Sequence, residues 1–257
     1  MFNFTIYFYP NTMDCHIVRL VEVGSTNQFA LDLLAKGPVA EGTIIVTDKQ
    51  TSGRGIEGNE WESEPGKNLT FSLVVYPDFL SADYQFYLNK TFSLGLYDVV
   101  RLYAGEQTRI KWPNDIYCRN GKIAGILVQN GIQGNTFKYC VAGIGLNVNQ
   151  MSFSSIAGNP VSLKMVTAKD YNLDTLLLEL CRSIWNRLEM LRRGQLETID
   201  IDYLTALYRL NEPAGYIYKG REIQARIKGV SRYGHLVLEV PSSKIIECDL
   251  KEVKFMI

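Results

Sequence analysis

The 257-residue sequence has little of several features that mark common functional classes. Its only histidines, His16 and His235, lie far apart, which argues against a histidine-rich zinc site and weakens a Ser-His-Asp triad. Its five cysteines include no Cys-X-X-Cys pair, and an odd, scattered set is typical of reduced, mostly buried thiols. The 27 basic and 27 acidic residues cancel, so no net field favours nucleic acid or a membrane surface.

Long apolar runs are also missing. None approaches the roughly 20 residues that a membrane-spanning helix needs, and the first ten residues lack the basic start and aliphatic centre of a signal peptide. We therefore expect a cytoplasmic protein that binds neither membrane nor nucleic acid. The segment before Ser25 is too short for a helix-turn-helix domain, so we expect no DNA-binding module there.

Strand and helix patterns are mixed through the first 210 residues and give way to short strands after that. Helical patterns follow Ser25 and cover residues 84–103, 173–193 and 195–210. The predicted strands before residue 210 are 17–23, 42–48, 68–76, 115–118, 122–128 and 137–148. From Glu212 onward, short strands with tight turns predict a small β-barrel. We therefore predict a large domain over residues 1–210 and a small one over residues 211–257.

The segment from Lys111 to Leu127 carries the strongest site signal, and it has the pattern of a β-hairpin. Its Asn120-Gly121 pair predicts a two-residue type I′ turn. Lys122 leads into an otherwise apolar strand, where an ammonium group is rare unless it is paired. Together with Lys111, this lysine suggests a site for an anionic ligand.

Two further polar segments are compatible with ligand contacts. Ser25 or Thr26 would cap a helix whose start can also bind a small polar ligand. The loop at Gly53-Arg54-Gly55 allows close approach of backbone to a ligand, and Arg54 suits a carboxylate or phosphate. A mobile surface loop is the alternative reading of those glycines.

Together these segments resemble the motifs of the biotin–protein ligases. The matching pieces keep that family's order and spacing: Ser25-Thr26-Asn27-Gln28, Gln50, Gly53-Arg54-Gly55 with Gly58 and Trp61, Gly66-Lys67-Asn68-Leu69, Lys111-Trp112-Pro113-Asn114-Asp115, Gly121-Lys122-Ile123-Ala124-Gly125-Ile126-Leu127, and Gly143-Ile144-Gly145-Leu146-Asn147. The resemblance implies an α/β domain with a mixed, mostly antiparallel sheet and flanking helices, followed by a small SH3-like β-barrel.

The resemblance also implies a two-step, ATP-dependent reaction. Biotin and MgATP give biotinyl-5′-adenylate and pyrophosphate, and a lysine of the acceptor then attacks the mixed anhydride. The implied acceptor is the biotin carboxyl carrier domain of a biotin-dependent carboxylase or decarboxylase. Free edge strands would allow either a homodimer or docking of the acceptor.

The family's functional roles carry over to residues of this chain. The implied catalytic residues are Lys122, Lys111, Arg54 and Asp115. The implied biotin contacts are Ser25, Thr26, Asn27, Gln50, Gly53, Arg54, Gly55, Lys122 and Gly125. The implied nucleotide contacts are Arg54, Trp61, Lys111, Asn114 and Asn147. Asp115 would orient Lys111 or the acceptor lysine, or help to hold Mg²⁺, and no other metal ligand is implied. Gly125 would leave room for the ligand carbonyl.

One departure affects the glycine loop. The family usually has a further arginine in the two places after Gly-Arg-Gly and often a basic residue after the third glycine, but here those places hold Ile56, Glu57 and Asn59. Fewer cations should weaken the hold on phosphate, so we expect faster release of the adenylate.

Two other functions fit parts of the pattern. A lipoate or octanoate ligase or transferase shares the fold, but a lipoyl chain has no ureido group for the Ser-Thr-Asn segment to bind. A non-catalytic biotin-binding protein would explain the altered loop but not the two lysines.

Overall fold

The computed structural model describes residues 3–4, 16–154 and 159–256, and its first part is built on an eight-stranded sheet. The strands are β1 (Asn3–Phe4), β2 (His16–Val23), β3 (Thr43–Gln50), β4 (Leu69–Val75), β5 (Thr108–Lys111), β6 (Asp115–Cys118), β7 (Gly121–Gln133) and β8 (Thr136–Leu146). Their order is β1-β2-β3-β4-β8-β7-β6-β5. The β2–β3 pair is parallel and the other pairs are antiparallel, which confirms the predicted mixed sheet.

In the described part of the chain, five α-helices accompany this sheet. They are α1 (Thr26–Lys36), α2 (Phe86–Ala104), α3 (Leu163–Thr167), α4 (Leu173–Arg192) and α5 (Leu196–Thr205). α1 begins where predicted, because the Ser25 hydroxyl accepts a hydrogen bond from the Gln28 backbone N–H at 3.4 Å. No helix in the described part of the chain is both long and apolar enough to cross a membrane.

The two faces of the sheet are covered unequally. One face carries Phe71, Leu73 and Ile144, which belong to the large buried cluster shared with α2 and α4. The opposite face has a smaller cluster, including Val18 and Ile45, that packs under α1. Because α1 covers only part of this second face, the remainder is available to form a site.

The C-terminal strands form a second, five-stranded antiparallel sheet. They are β9 (Pro213–Tyr218), β10 (Arg221–Val230), β11 (Leu236–Glu239), β12 (Ile245–Cys248) and β13 (Val253–Phe255), in the order β12-β11-β10-β9-β13. Its edge strands β12 and β13 are not hydrogen-bonded to each other in the described residues, so the predicted barrel is seen as an open sheet.

The second sheet packs closely against the first part of the chain. Tyr216 and Ile227 lie in the same buried cluster as Phe71. The indole N–H of Trp112 donates to the carbonyl of Gly234 at 2.8 Å. This bond links the segment from Lys111 to Leu127, called the central hairpin below, to the turn before β11. The boundary near residue 210 falls between α5 and β9 and stays a prediction, since one core runs through both parts.

The hairpin turn differs from the predicted one. Cys118 pairs with Gly121, so the loop residues are Arg119 and Asn120, and only Arg119 has a positive φ, of 55°. The type I′ turn at Asn120-Gly121 was therefore a wrong prediction. Gly121 instead lies where there is no room for a side chain, because a Cβ there would collide with the side chain of Val161.

The cysteines agree with the expectation of buried thiols. Cys118, Cys140, Cys181 and Cys248 are buried and form no disulfide, while Cys15 lies outside the described residues. Burial raises the pKa of the Cys118 thiol, which keeps this group in its less reactive form.

Candidate active site

A cavity of about 420 Å³ opens on the face of the main sheet that α1 leaves uncovered. Four parts of the chain enclose it: the start of α1, the loop around Arg54, the central hairpin and the end of the C-terminal sheet. The predicted site residues that line it are Ser25, Thr26, Asn27, Gln50, Arg54, Gly55, Trp61, Lys111, Asn114, Asp115, Lys122 and Gly125. The structure thus brings together segments that are distant in sequence.

A β-bulge in β7 sets which side chains face the cavity. Asp115 lies opposite Gly125 and Tyr117 lies opposite Lys122, with a register shift between the two pairs. Opposed residues of a ladder point to the same side of a sheet, and the extra residue of a bulge reverses the alternation. The bulge therefore places Lys122 on the same face as Asp115 and Gly125.

The two charged groups at the centre of this face form an ion pair. Lys122 Nζ lies 2.7 Å from Asp115 Oδ1, and the side chains are 32% and 22% exposed. The Lys122 ammonium is also 5.8 Å from the centroid of the Trp61 ring. One suggested role of Asp115 was to orient Lys111, but its ion-pair partner in the structure is Lys122.

Lys111 is held differently. It is half-buried, and its Nζ lies 5.1 Å from the centroid of the Tyr117 ring and 4.9 Å from that of Phe255. Burial lowers the pKa of Lys111; the Asp115 charge opposes this shift, and Lys122 and Arg209 add to it. Lys122 is therefore close enough to help lower the pKa of Lys111.

Glycines form the floor of the cavity. A Cβ on Gly125 would lie 3.1 Å from Lys122 Nζ and 3.2 Å from Asp115 Oδ1, so this position leaves room for the ion pair as well as for a ligand. A Cβ on Gly145 would overlap the Trp61 ring, and one on Gly143 would overlap the Asn27 amide. The glycines thus allow the Lys122–Asp115 pair, the Trp61 ring and the Asn27 amide to approach the sheet closely.

The end of the cavity beneath α1 is lined by neutral polar groups. The Thr26 backbone N–H donates to Gln50 Oε1 at 2.9 Å. Ser72 Oγ lies 2.7 Å from Thr26 Oγ1 and 2.6 Å from Asn27 Oδ1. These contacts fix the side-chain positions without placing a formal charge there.

Asn27 is more fully occupied than the sequence suggested. Its Nδ2 donates to the Leu127 carbonyl at 3.1 Å and to Gln129 Oε1 at 2.9 Å, while its Oδ1 meets Ser72. The residue is 4% exposed. It therefore ties α1 to β4 and β7, and the less buried groups at this end are those of Ser25 and Gln50.

The glycine loop covers the cavity from above. Arg54 is exposed and its backbone pairs with that of Glu60 in an isolated antiparallel β-bridge. Gly53 is buried against the Trp61 backbone and does not line the cavity. Ile56 and Asn59 do line it, so the departures from the family pattern face the site. The side chain of Glu57 lies outside the described residues.

The two asparagines expected at the nucleotide have structural partners. Asn114 lines the cavity, and its Nδ2 donates to the carbonyl of Ile126. Asn147 lies outside the cavity lining, and its Nδ2 donates to the Val161 carbonyl at 3.0 Å. Its buried Oδ1 has no hydrogen-bond partner in the described part of the chain.

Sequence reasoning missed two groups of lining or supporting residues. Ser72 and Gln129 lie within strands and gave no separate signal, although they hold the α1 end of the cavity. The C-terminal sheet supplies Leu250, Lys251, Val253, Lys254 and Phe255 to the lining. Alternation in the last strand shows an amphipathic edge, but nothing in it shows that this edge reaches the cavity.

The described residues contain no group of three or more His, Cys, Asp or Glu side chains that could hold a metal ion. The cavity has one central carboxylate, Asp115, and Lys122 already pairs with it. A divalent cation would therefore take most of its ligands from a bound phosphate chain.

Comparison with known proteins agrees with this geometry. Residues 21–147 match the sequence model of the Biotin/lipoate A/B protein ligase family. The bifunctional ligase/repressor BirA of Escherichia coli is 30% identical over 231 residues, which are 87% of this chain and 69% of that protein. The BirA protein of Bacillus spizizenii is 37% identical over 146 residues. That second match covers 54% of this chain and only 42% of the relative's length.

A solved structure shows the same fold. The biotin protein ligase from Aquifex aeolicus, in complex with biotin and ATP, superposes with a TM-score of 0.77 at 24% identity, over 93% of this chain and 99% of that one. The sequence match to the Escherichia coli protein extends over 87% of this chain and 69% of that protein, at 30% identity. The chain therefore belongs to the biotin–protein ligases of the biotin/lipoate A/B protein ligase family.

Proposed function

We propose that this chain activates biotin with ATP and transfers the biotinyl group to a lysine of an acceptor protein. The observation that carries the proposal is the division of one cavity into a neutral polar end, beneath α1, and a cationic end with Lys111 and Lys122. A substrate with a polar, uncharged head and a carboxylate tail fits this division, and the tail would meet the cations.

The polar end suits the ureido group of biotin. Gln50 Oε1 is held by the Thr26 N–H, while Gln50 Nε2 has no partner in the described residues and remains available as a donor. Ser25 and Thr26 add hydroxyl groups. A site of this kind rejects analogues that leave its polar groups unpaired. A lipoyl or octanoyl chain has no matching ureido group.

The cationic end suits adenylation. The biotin carboxylate attacks the α-phosphorus of ATP, and pyrophosphate leaves with its bonding electron pair. Both reactants are anionic, so fixed cations must offset charge that develops on the phosphate oxygens. Lys122 would serve the forming acyl–phosphate link, and Lys111 and Arg54 would bind phosphate oxygens.

Transfer completes the reaction. The neutral amine of the acceptor lysine attacks the carbonyl carbon of the mixed anhydride, AMP leaves with the electron pair of the C–O bond, and the new amide nitrogen gives up a proton to solvent. Asp115 is placed beside Lys122 and would orient that amine. Trp61 would cover the adenylate and limit its hydrolysis by water. The nucleotide role implied for Asn147 would be indirect, because this residue lies outside the cavity lining and its Nδ2 donates to the Val161 carbonyl.

The remaining expectations belong to the same proposal. Mg²⁺ would arrive with ATP as part of the substrate, and the acceptor would be a biotin carboxyl carrier domain in the cytoplasm. Among the described residues, the outer edge of β2 is paired with β1 at Val18 and Arg19, and Val21 beyond them is 79% exposed. This edge could join a homodimer or receive the acceptor.

An ATP–pyrophosphate exchange assay tests the proposal. We expect exchange that depends on biotin and is absent with lipoate or octanoate. Exchange with lipoate or octanoate alone would assign the chain to the related ligases instead. Absence of exchange with all three, in a chain that binds biotin, would identify a non-catalytic binding protein.

A further inference from the structure

The C-terminal sheet gives the cavity an aromatic wall that no motif indicated. Phe255 lies in β13, and its ring centroid is 4.9 Å from Lys111 Nζ, while the Tyr117 ring is at 5.1 Å from the same atom. Lys111 Nζ has no hydrogen bond or ion pair within the described residues. The two rings are therefore what fixes its position.

Phe255 is itself well fixed. Its ring packs edge-on against Tyr216, with centroids 5.2 Å apart and an angle of 67° between the rings. The same two residues are opposed in the β13–β9 ladder. Arg209 donates to the carbonyl of Met256 at 2.9 Å, which anchors the chain just beyond the ring. The Phe255 ring thus has a defined place relative to Lys111.

An aromatic wall has a different effect from that of a carboxylate. An ion pair such as Lys122–Asp115 neutralises part of the lysine charge, whereas an aromatic face attracts a cation and leaves its N–H donors free. The charged and titratable groups that face Lys111 are Asp115, Lys122, Arg209 and Tyr117. Asp115 is the one anionic group among these and it pairs with Lys122, so Lys111 has no direct ion-pair partner in the described residues.

We propose that Phe255 is a positioning residue for Lys111, holding the ammonium group at the cavity mouth so that its charge meets the phosphates of the nucleotide. This proposal rests on the proposed function, because it assumes that the anion at this end is the phosphate chain of ATP. It gives the C-terminal sheet a direct part in nucleotide binding through the placement of a lysine on β5.

The test measures the dissociation constant of α,β-methylene-ATP in the presence of biotin, since this analogue cannot react. We expect Phe255→Leu to weaken binding by about 3- to 30-fold, the range that loss of a cation–π contact implies. Phe255→Tyr keeps an aromatic face and should retain the affinity. In a Lys111→Met background, Phe255→Leu should cause no further loss, because the group that the ring positions is absent.

The pH dependence provides a second readout. Analogue binding should weaken as pH rises and Lys111 loses its proton. Loss of the Phe255 ring removes its attraction for the cation but also admits water, and since burial is the main cause of the lowered Lys111 pKa, we expect the decline to move to higher pH in Phe255→Leu. A change in stability alone would not shift this decline.

Ile227→Val is the matched control, since Ile227 is buried in the same sheet but does not line the cavity. It should leave analogue binding unchanged. If Phe255→Leu does not fold, as judged by circular dichroism, Phe255→Met replaces it and should give the same result. Equal losses in the wild-type and Lys111→Met backgrounds would overturn the positioning proposal. Biotin-dependent exchange by the wild-type chain, run alongside, separates that failure from failure of the proposed function.

Discussion

Replacement of Lys122 by methionine is expected to abolish most adenylate formation while leaving the fold intact. Lys122 is about one-third exposed, and Asp115 remains partly solvated when its partner is removed. A solvated ion pair of this kind contributes about 0–1 kcal/mol to stability. Methionine also keeps the length of the apolar part of the chain. For a domain of this size the melting temperature should fall by no more than about 2–4 °C.

The expected effect on the reaction is much larger. Lys122 lies at the centre of the cationic end, on the same face as Gly125. Removal of one preorganised charge contact to a developing oxyanion costs about 10²–10³ in rate, or about 2.7–4 kcal/mol. Biotin-dependent ATP–pyrophosphate exchange, measured with saturating substrates, reports this loss.

A matched control is available in the same chain. Lys164 pairs with Asp170 at 2.8 Å and is 31% exposed, close to the values for Lys122, but it lies outside the cavity. Lys164→Met should change stability by a similar amount and leave exchange at the wild-type rate. Near wild-type exchange in a folded Lys122→Met variant would remove Lys122 from the catalytic machinery and refute the reasoning above.

Three further predictions concern the glycine loop, the glycines on the floor of the cavity and the ion pairs that link α4 to its neighbours. Because the loop lacks the family's extra cations, we expect the wild-type chain to lose bound biotinyl-adenylate during dialysis faster than the Asn59→Arg variant does. Equal retention by the two proteins would show that the charge of the loop is unimportant. Gly143→Ala should push against Asn27 and raise the Michaelis constant for biotin, with a loss of about 1–3 kcal/mol in stability measured by urea unfolding; unchanged values would mean that the amide can move freely. Arg187→Met should destabilise the chain by about 2–4 kcal/mol, because it breaks a largely buried link from α4 to Asp98 and Asp202, and exchange at low temperature should remain.

The sequence was most informative where local chemistry restricts the choice of residue. The helix start at Ser25 follows from capping, and the glycines at the cavity floor follow from close packing of side chains on strands. A lysine leading into an apolar strand correctly indicated that Lys122 would need a partner. The helix cap depends on neighbours within a few residues, which a single sequence displays.

Side-chain partners that depend on strand register could not be predicted from the sequence in the same way. The ion pair of Lys122 with Asp115 depends on a bulge in β7, and a shift of one residue would have turned the lysine to the opposite face. The turn at Arg119-Asn120 depends on the same register. The order of the motifs along the chain was predicted correctly for both segments. Which side chains pair could be known only from the hydrogen-bonded register of the strands.

Contacts between distant parts of the chain also could not be predicted from the sequence. Phe255 reaches Lys111 across 144 positions of the chain only because the C-terminal sheet packs on the central hairpin. Ser72 looked like an ordinary strand residue until its hydroxyl was found beside Thr26 and Asn27. Such contacts arise from packing between elements, for which local patterns carry no signal.

The central claim is that the cavity forms an acyl-adenylate, and mass spectrometry of an acid-quenched reaction tests it most directly. The chain is incubated with biotin and MgATP without an acceptor, and the products are then followed after a biotin carboxyl carrier domain is added. The account predicts biotinyl-5′-adenylate and pyrophosphate first, followed by loss of the adenylate as biotinylated acceptor and AMP appear. Formation of ADP and phosphate, or biotinylation with no adenylate at any time, would contradict it.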